Sequence, residues 1–345
     1  MKSLFLCLLL LSGAACAWGE ELFLQNGWTF NLYFENDLFS ESDQDYTNGV
    51  KLSWVSPDLQ SYVDDPRLPG WVRRANKRLT FFHKNADGLQ RNLVISLGQS
   101  IYTPKDLNRT DVIKDDRPYA GWLYMGFGFH SKTEDQLDSV ELNVGVVGPA
   151  SFAHEAQDFV HELRGFEKFK GWDNQLSNEP GIAAVYEHKD KFMSMGSRGG
   201  FGADAITHFG GSLGNVATYL NLGFETRLGW NIPGDFGTSA IRPAGDNSAP
   251  GSRWDPRLSG KSAWGLHAFV SVDGRAVLHD IFLDGNTYKD SHSVDREPLV
   301  ADAAAGVSLI YRRVKLSYAQ IFRTREFRGQ KHGHSYGSLS MSWVY

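Results

Sequence analysis

The sequence predicts an all-β fold: a transmembrane antiparallel β-barrel of about twelve strands, with a short α-helix in an extracellular loop. Three observations predict it. Apolar and polar residues alternate with period two from end to end. The 345 residues include 22 Phe, 13 Tyr and 10 Trp, yet the mean hydropathy is negative. That combination arises when every second strand residue faces lipid and the next faces water. Beyond the first residues, no stretch approaches 18 consecutive apolar residues, so helical spans are excluded.

The chain opens with Lys2, an apolar run from Leu4 to Leu11, and Ala15-Cys16-Ala17. This is the pattern of a signal peptide over residues 1–17, with a mature start near Trp18. Lipidation at Cys16 is the competing reading; against it, Gly13 stands where lipoprotein signals carry Leu. Cys7 and Cys16 both lie in that leader, so the mature chain is expected to carry no thiol. The destination is the outer membrane of a Gram-negative cell. A net charge of -5 gives no electrostatic case for nucleic acid.

The first strand sets Trp28, Phe30, Leu32 and Phe34 against Thr29, Asn31, Tyr33 and Glu35, and the second sets Val50, Leu52 and Trp54 against Gly49, Lys51 and Ser53. Further strands are expected over 91–103, 119–130, 137–148, 180–193, 197–209 and 215–229. The C-terminal part adds 263–273, 300–312, 314–323 and 335–345. Ala276 to Leu283 reads as an extension of its neighbour or as loop, because single-chain bacterial barrels have even strand counts. The last strand ends on Trp343 and Tyr345, suited to an interfacial aromatic girdle. A soluble β-sandwich would also alternate, but strands of ten or more residues with this aromatic load would leave sticky patches in water.

Residues 151–165, SFAHEAQDFVHELRG, break the pattern with helical spacing. Phe152, Ala156, Phe159, Val160 and Leu163 form an apolar face; Gln157, His161, Arg164 and Lys168 form a second stripe. Ser151 is placed to cap the start and Gly165 to stop the end. If odd strands run outward, the links after strands one, three and five lie outside the cell. The polar-rich segments therefore converge on the extracellular rim, where lipopolysaccharide occupies the leaflet.

Three groups there have chemical potential. Asn36 and Asp37 end one strand, and Asp45-Tyr46-Thr47 opens the next; their hard oxygens suit Ca²⁺ or Mg²⁺, while ordinary turn chemistry explains the same residues. His161 is able to take a proton from water, with Glu167 orienting it or holding a cation; a solvated helix histidine is the alternative, and His154 shares the helix. Lys105, Arg109, Lys114 and Arg117 are either phosphate contacts or solvated loop cations, and Arg117 has carboxylates near enough in sequence to pair with. No nucleophile elbow, zinc helix or phosphate-binding glycine loop is present, which favours direct attack by water.

In this order, Asn36-Asp37, Asp45-Tyr46-Thr47-Asn48-Gly49, Ile101-Tyr102-Thr103-Pro104, Asp116-Arg117 and Gly148-Pro149 form a specific set. It continues through Gln157-x-x-x-His161, Gly165-x-Glu167-Lys168 and Trp172-Asp173-x-Gln175. The set spans nearly the whole mature chain and resembles the lipid A 3′-O-deacylase family. The resemblance implies a twelve-stranded outer-membrane barrel with its active site between the wall and an extracellular helix. It implies that His161 activates water, that Asn36, Thr47 and Gln157 are active-site neighbours, and that Asp37 and Glu167 serve a divalent cation, Ca²⁺. It also implies a basic substrate contact in the third-strand loop, with Arg109 nearest and Lys105 beside it. The expected partners are lipid A, or lipopolysaccharide, and outer-membrane lipid, with the barrel a monomer. The alternatives are a phospholipase of the same membrane and a non-enzymatic channel or adhesin.

Overall fold

A computed structural model of the chain describes residues 25–37, 45–80, 88–196, 199–238, 244–259 and 263–345, without the side chains of 45–47. The expected leader, 1–17, lies outside these residues. Among them, twelve strands form one closed antiparallel barrel. They are β1 (Thr29–Asn36), β2 (Asp45–Val55), β3 (Gln90–Thr103), β4 (Ala120–Lys132), β5 (Gln136–Val147) and β6 (Glu179–Gly196). The second half comprises β7 (Phe201–Gly214), β8 (Ala217–Trp230), β9 (Trp264–Asp280), β10 (Leu299–Tyr311), β11 (Val314–Arg323) and β12 (His334–Val344). β1 closes on β12 in unbroken register, from Thr29 opposite Val344 to Asn36 opposite Gly337. The expected extra segment resolves as the end of β9 followed by a single helical turn, Ile281–Asp284.

The alternation places the side chains. Lys51, Ser53, Ser96, Glu141, Arg227 and Lys315 are buried inside the barrel, while Leu97, Met125, Phe127, Val144 and Leu222 stay exposed on its outer face. A water-soluble protein inverts that arrangement; a lipid-embedded barrel requires it. Trp54, Trp230, Trp264, Tyr311, Trp343 and Tyr345 gather where β1 begins and β12 ends. The tight links 133–135 and 312–313 lie at the same rim, which marks it as the periplasmic one.

Two long periplasmic links were not anticipated from the sequence. Residues 56–80 carry helix α1, Gly70–Arg78. Asp58 stays at the lumen side with Asn92 and Lys132. From Leu59 on, the segment lies against the outer side of the wall, where Tyr62 and Val72 meet the outward-facing Leu93 and Phe129. The link from β8 to β9 turns inward and fills the lumen. Its Asp246 accepts from Lys51 Nζ at 2.6 Å and from Ser53 Oγ at 2.5 Å. Its Asp235 accepts from Arg227 and Lys315, both at 2.5 Å, and from Arg257 at 3.2 Å. Charges so deep in a low-dielectric interior are tolerated because each has its counter-ion. The strands' own polar side chains share the lumen with this inserted segment.

Candidate active site

The site is built on the outer face of β1, β2 and β3 at the extracellular rim. Register puts Asn36, Asn48 and Ile101 in one outward row and Phe34, Val50 and Gln99 in the row below. The pairing of β2 with β3 shifts between Tyr46 and Asn48, so Thr47 sits in a bulge. Bulges re-aim side chains at the ends of barrel strands. The Thr47 side chain itself lies outside the described residues.

Helix α2, Ala153–Arg164, covers these rows. A 3₁₀ turn at Pro149–Ser151 leads into it, and Phe152 enters with φ 56°. Ser151 does not cap the helix as expected. Its hydroxyl donates to the Gly148 carbonyl at 2.6 Å, because the left-handed Phe152 intervenes between it and the first turn. The helix stops as expected at Gly165, φ 71°, whose N–H returns to the carbonyls of Glu162 and His161. Two contacts seat it on the wall. Gln99 Nε2 donates to the Ser151 carbonyl at 2.6 Å, and Gly121 on β4 lets Ala153 approach so closely that a Cβ there would lie 2.2 Å from the alanine methyl.

The burial of α2 fixes its facing, which the spacing alone left open. Ala153, Gln157 and His161 are the buried residues. Phe152, Phe159 and Leu163 are 59%, 68% and 76% exposed. On a helix leaning against the outside of a membrane barrel these three face lipid, while Ala156 and Val160 line the cavity with Gln157 and His161.

Between helix and wall lies a cavity of about 170 Å³, lined by Asn36, Asn48, Gln99, Gln157 and His161 among apolar Phe34, Val50, Ile101 and Val160. His161 Nδ1 lies 2.6 Å from the main-chain oxygen of Glu167. A carbonyl only accepts, so Nδ1 carries the proton and the lone pair of the neutral ring is on Nε2. Phe166 and Phe169 pack edge-on against the ring at 6.0 and 5.6 Å. Gln157 Oε1 accepts from Trp172 Nε1 at 3.0 Å. Its Nε2, also buried, has no hydrogen-bond partner among the described residues.

The structure therefore brings Asn36, Gln157 and His161 together, with the fully buried Asp37 adjoining Asn36. His154 stays half-exposed, stacked on Trp172 and 3.7 Å from Asp158, away from the cavity lining. The Glu167 side chain is exposed, and its contact with His161 is made through the backbone carbonyl. Arg109 is exposed and bidentate to Asp111 at 2.5 and 2.6 Å, and Lys105 is exposed in the same loop. Arg117 is buried and paired with Glu326 at 2.8 Å, which removes it from the phosphate-binding candidates. Burial opposes the charge on Glu326, but Arg117 and Arg323 outweigh it and hold the carboxyl well below its usual range. Sequence reasoning missed Asn48 and Gln99. Their signal was present: polar residues in register with lipid-facing Leu52 and Leu97, where alternation calls for apolar ones.

A family model described as outer membrane protein LpxR matches residues 4–345. The chain belongs to the LpxR family. As a member it is an outer-membrane lipid A 3′-O-deacylase, a carboxylic ester hydrolase. Among solved structures, LpxR from Salmonella typhimurium is 20% identical with a TM-score of 0.70, covering 92% of this chain and 100% of that one. The β domain of the Bordetella autotransporter BrkA, at 9% identity and a TM-score of 0.43, covers 93% of this chain and 100% of that one. The P. putida toluene transporter TodX, at 10% identity and a TM-score of 0.29, covers 93% and 89%. No curated protein sequence matches the chain. The LpxR fold thus accounts for the closed twelve-strand wall.

Proposed function

We propose that this LpxR-family chain hydrolyses the ester at the 3′ position of lipid A with a water molecule activated by His161. The supporting observation is the fixed tautomer of His161 inside a cavity on the lipid side of the wall. Substrate enters sideways from the outer leaflet, passing the exposed Phe159 and Leu163. Nε2 accepts a proton from water as the water oxygen adds to the ester carbonyl. Nδ1–H, already held by the Glu167 carbonyl, anchors the imidazolium that forms. The tetrahedral oxyanion receives a hydrogen bond from Gln157 Nε2, a buried donor that needs an acceptor. Collapse breaks the bond to the sugar oxygen, which takes the proton back from Nε2. The products are the freed acyl chain as a carboxylic acid and a 3′-hydroxyl. Asn36 and Thr47 position the water and the ester.

The donor chemistry at this rim is all oxygen and fits a hard divalent cation: the buried carboxylate of Asp37, the amide of Asn36 and the neighbouring Glu167. Among the described residues there is no cluster of three or more His, Cys, Asp or Glu, so the protein would supply few of the ligands. Asp37 and Glu167 would hold Ca²⁺, which supplies Lewis-acid polarisation of the ester carbonyl. Arg109 and Lys105 are placed in a solvent-facing loop where phosphate groups of the substrate would meet them.

Mass spectrometry of lipid A from cells expressing the wild type or His161→Ala tests the reading. Wild type removes the 3′-linked chains and the variant does not. Unchanged lipid A in wild-type cells, with phospholipids cleaved instead, would reassign the substrate. Activity indifferent to a chelator would remove the cation.

A further inference from the structure

The β2–β3 link offers a second contact with the membrane, far from the ester site. Its segment 59–80 lies on the outside of the wall, with Leu59, Tyr62, Leu68 and Val72 packed over the outward-facing Leu93 and Phe129. Outward positions of a barrel wall face lipid, so α1 is held beside the bilayer and not beneath the lumen. At the periplasmic rim Trp or Tyr stand on β2, β8, β9, β10 and β12, and among the described residues β3 to β7 carry none facing outward at that level. α1 covers the β3 and β4 part of that stretch and presents Trp71, 69% exposed.

The exposed face of α1 also carries Arg74, Lys77 and Arg78. The helix contains no acidic residue, and these three cations form no ion pair with any described residue. Val72 and Asn76 point the other way, with Asn76 Nδ2 donating to the Tyr62 carbonyl at 2.8 Å. A tryptophan beside a cluster of cations, on a short helix fixed at membrane level, has the composition of an interfacial anchor. We propose that α1 binds the anionic phospholipid headgroups of the periplasmic leaflet, with Trp71 seated at the headgroup boundary and Arg74, Lys77 and Arg78 on the phosphates. The leaflet opposite the substrate then fixes the height and tilt of the barrel.

Native mass spectrometry of the detergent-solubilised full barrel, titrated with phosphatidylglycerol or with phosphatidylcholine, measures the interaction. Replacing Arg74, Lys77 and Arg78 together by Gln is expected to weaken phosphatidylglycerol retention by roughly tenfold or more, with phosphatidylcholine unchanged. Heat-modifiable mobility on gels confirms that the variant is a folded barrel. Independently, a spin label at Ala75→Cys in vesicles containing phosphatidylglycerol is expected to be shielded from a water-soluble relaxant. Undiminished phosphatidylglycerol binding in the triple variant, or a label at residue 75 as accessible as one on an open loop, would overturn the proposal.

Discussion

His161 donates from Nδ1 to the main-chain carbonyl of Glu167, 2.6 Å away across the C-terminal end of α2. The contact is local, made by a turn that Gly165 permits, and it directs Nε2 as the basic atom. Because the acceptor is backbone, altering the Glu167 side chain leaves this hydrogen bond intact. Glu167→Gln is therefore expected to need more Ca²⁺ for activity without losing the imidazole's orientation. His161→Ala is expected to lose deacylation by about 10² or more while the barrel still folds. Lipid A mass spectra and chelator titrations of the two variants distinguish those roles.

Gln157 offers a finer test of the oxyanion contact. Gln157→Leu removes the donor but keeps the volume, and should lower kcat by about 10²-fold with little change in KM. A change confined to KM would make Gln157 a ground-state contact instead.

Gly121 lies under α2, where an added Cβ would meet Ala153 and Ser151 Oγ, each at 2.2 Å. Gly121→Val is expected to lift the helix off the wall and abolish activity. Barrel stability should change little, because β4 keeps its pairing with β3 and β5. Retained activity would show that the helix tolerates displacement.

In the lumen, Lys51→Met leaves Asp246 buried with Ser53 as its remaining partner. Breaking a buried ion pair costs about 3–5 kcal/mol, so urea unfolding in micelles should shift to markedly lower denaturant. The paired change Lys51→Met with Asp246→Leu is expected to recover much of that loss.

Hydrogen bonds from Arg67 hold the Asp65 carboxyl at about 2, below its ordinary 3.8. The folded value lies under the unfolded one, so the contribution is complete above about pH 4 and disappears as pH falls through 2. Arg67 is partly exposed, so solvent screening keeps the effect small. Amide exchange over residues 60–68 should accelerate between pH 4 and pH 2 relative to the strands; parallel behaviour of loop and strands would contradict this.

The wall was legible because alternation is a local property. Phe30, Leu32 and Phe34 declare their face whatever they pair with. The inserted segment was not legible, because its ties are remote: Asp246 meets Lys51 across 195 positions, and neither residue signals the other. α1 was overlooked because nine residues rich in Arg and Lys resemble a solvated loop until Val72 and Asn76 are seen to face the wall. Asn36 and His161 stood out by their chemistry and Gln157 by its place on the polar stripe; the family resemblance supplied their roles, and their convergence is a consequence of strand register. The facing of α2 was not legible, because an apolar stripe reads alike whether it meets protein or lipid. Phe159 and Leu163 meet lipid.

That outward phenylalanine and leucine have a kinetic corollary. A catalyst whose entrance opens onto hydrocarbon meets its reactant by diffusion in a plane, so its velocity tracks the mole fraction of lipid A in the surface and not the molarity of the suspension. Diluting micelles at constant composition would leave the turnover unaltered, whereas adding inert amphiphile at constant lipid A would slow it.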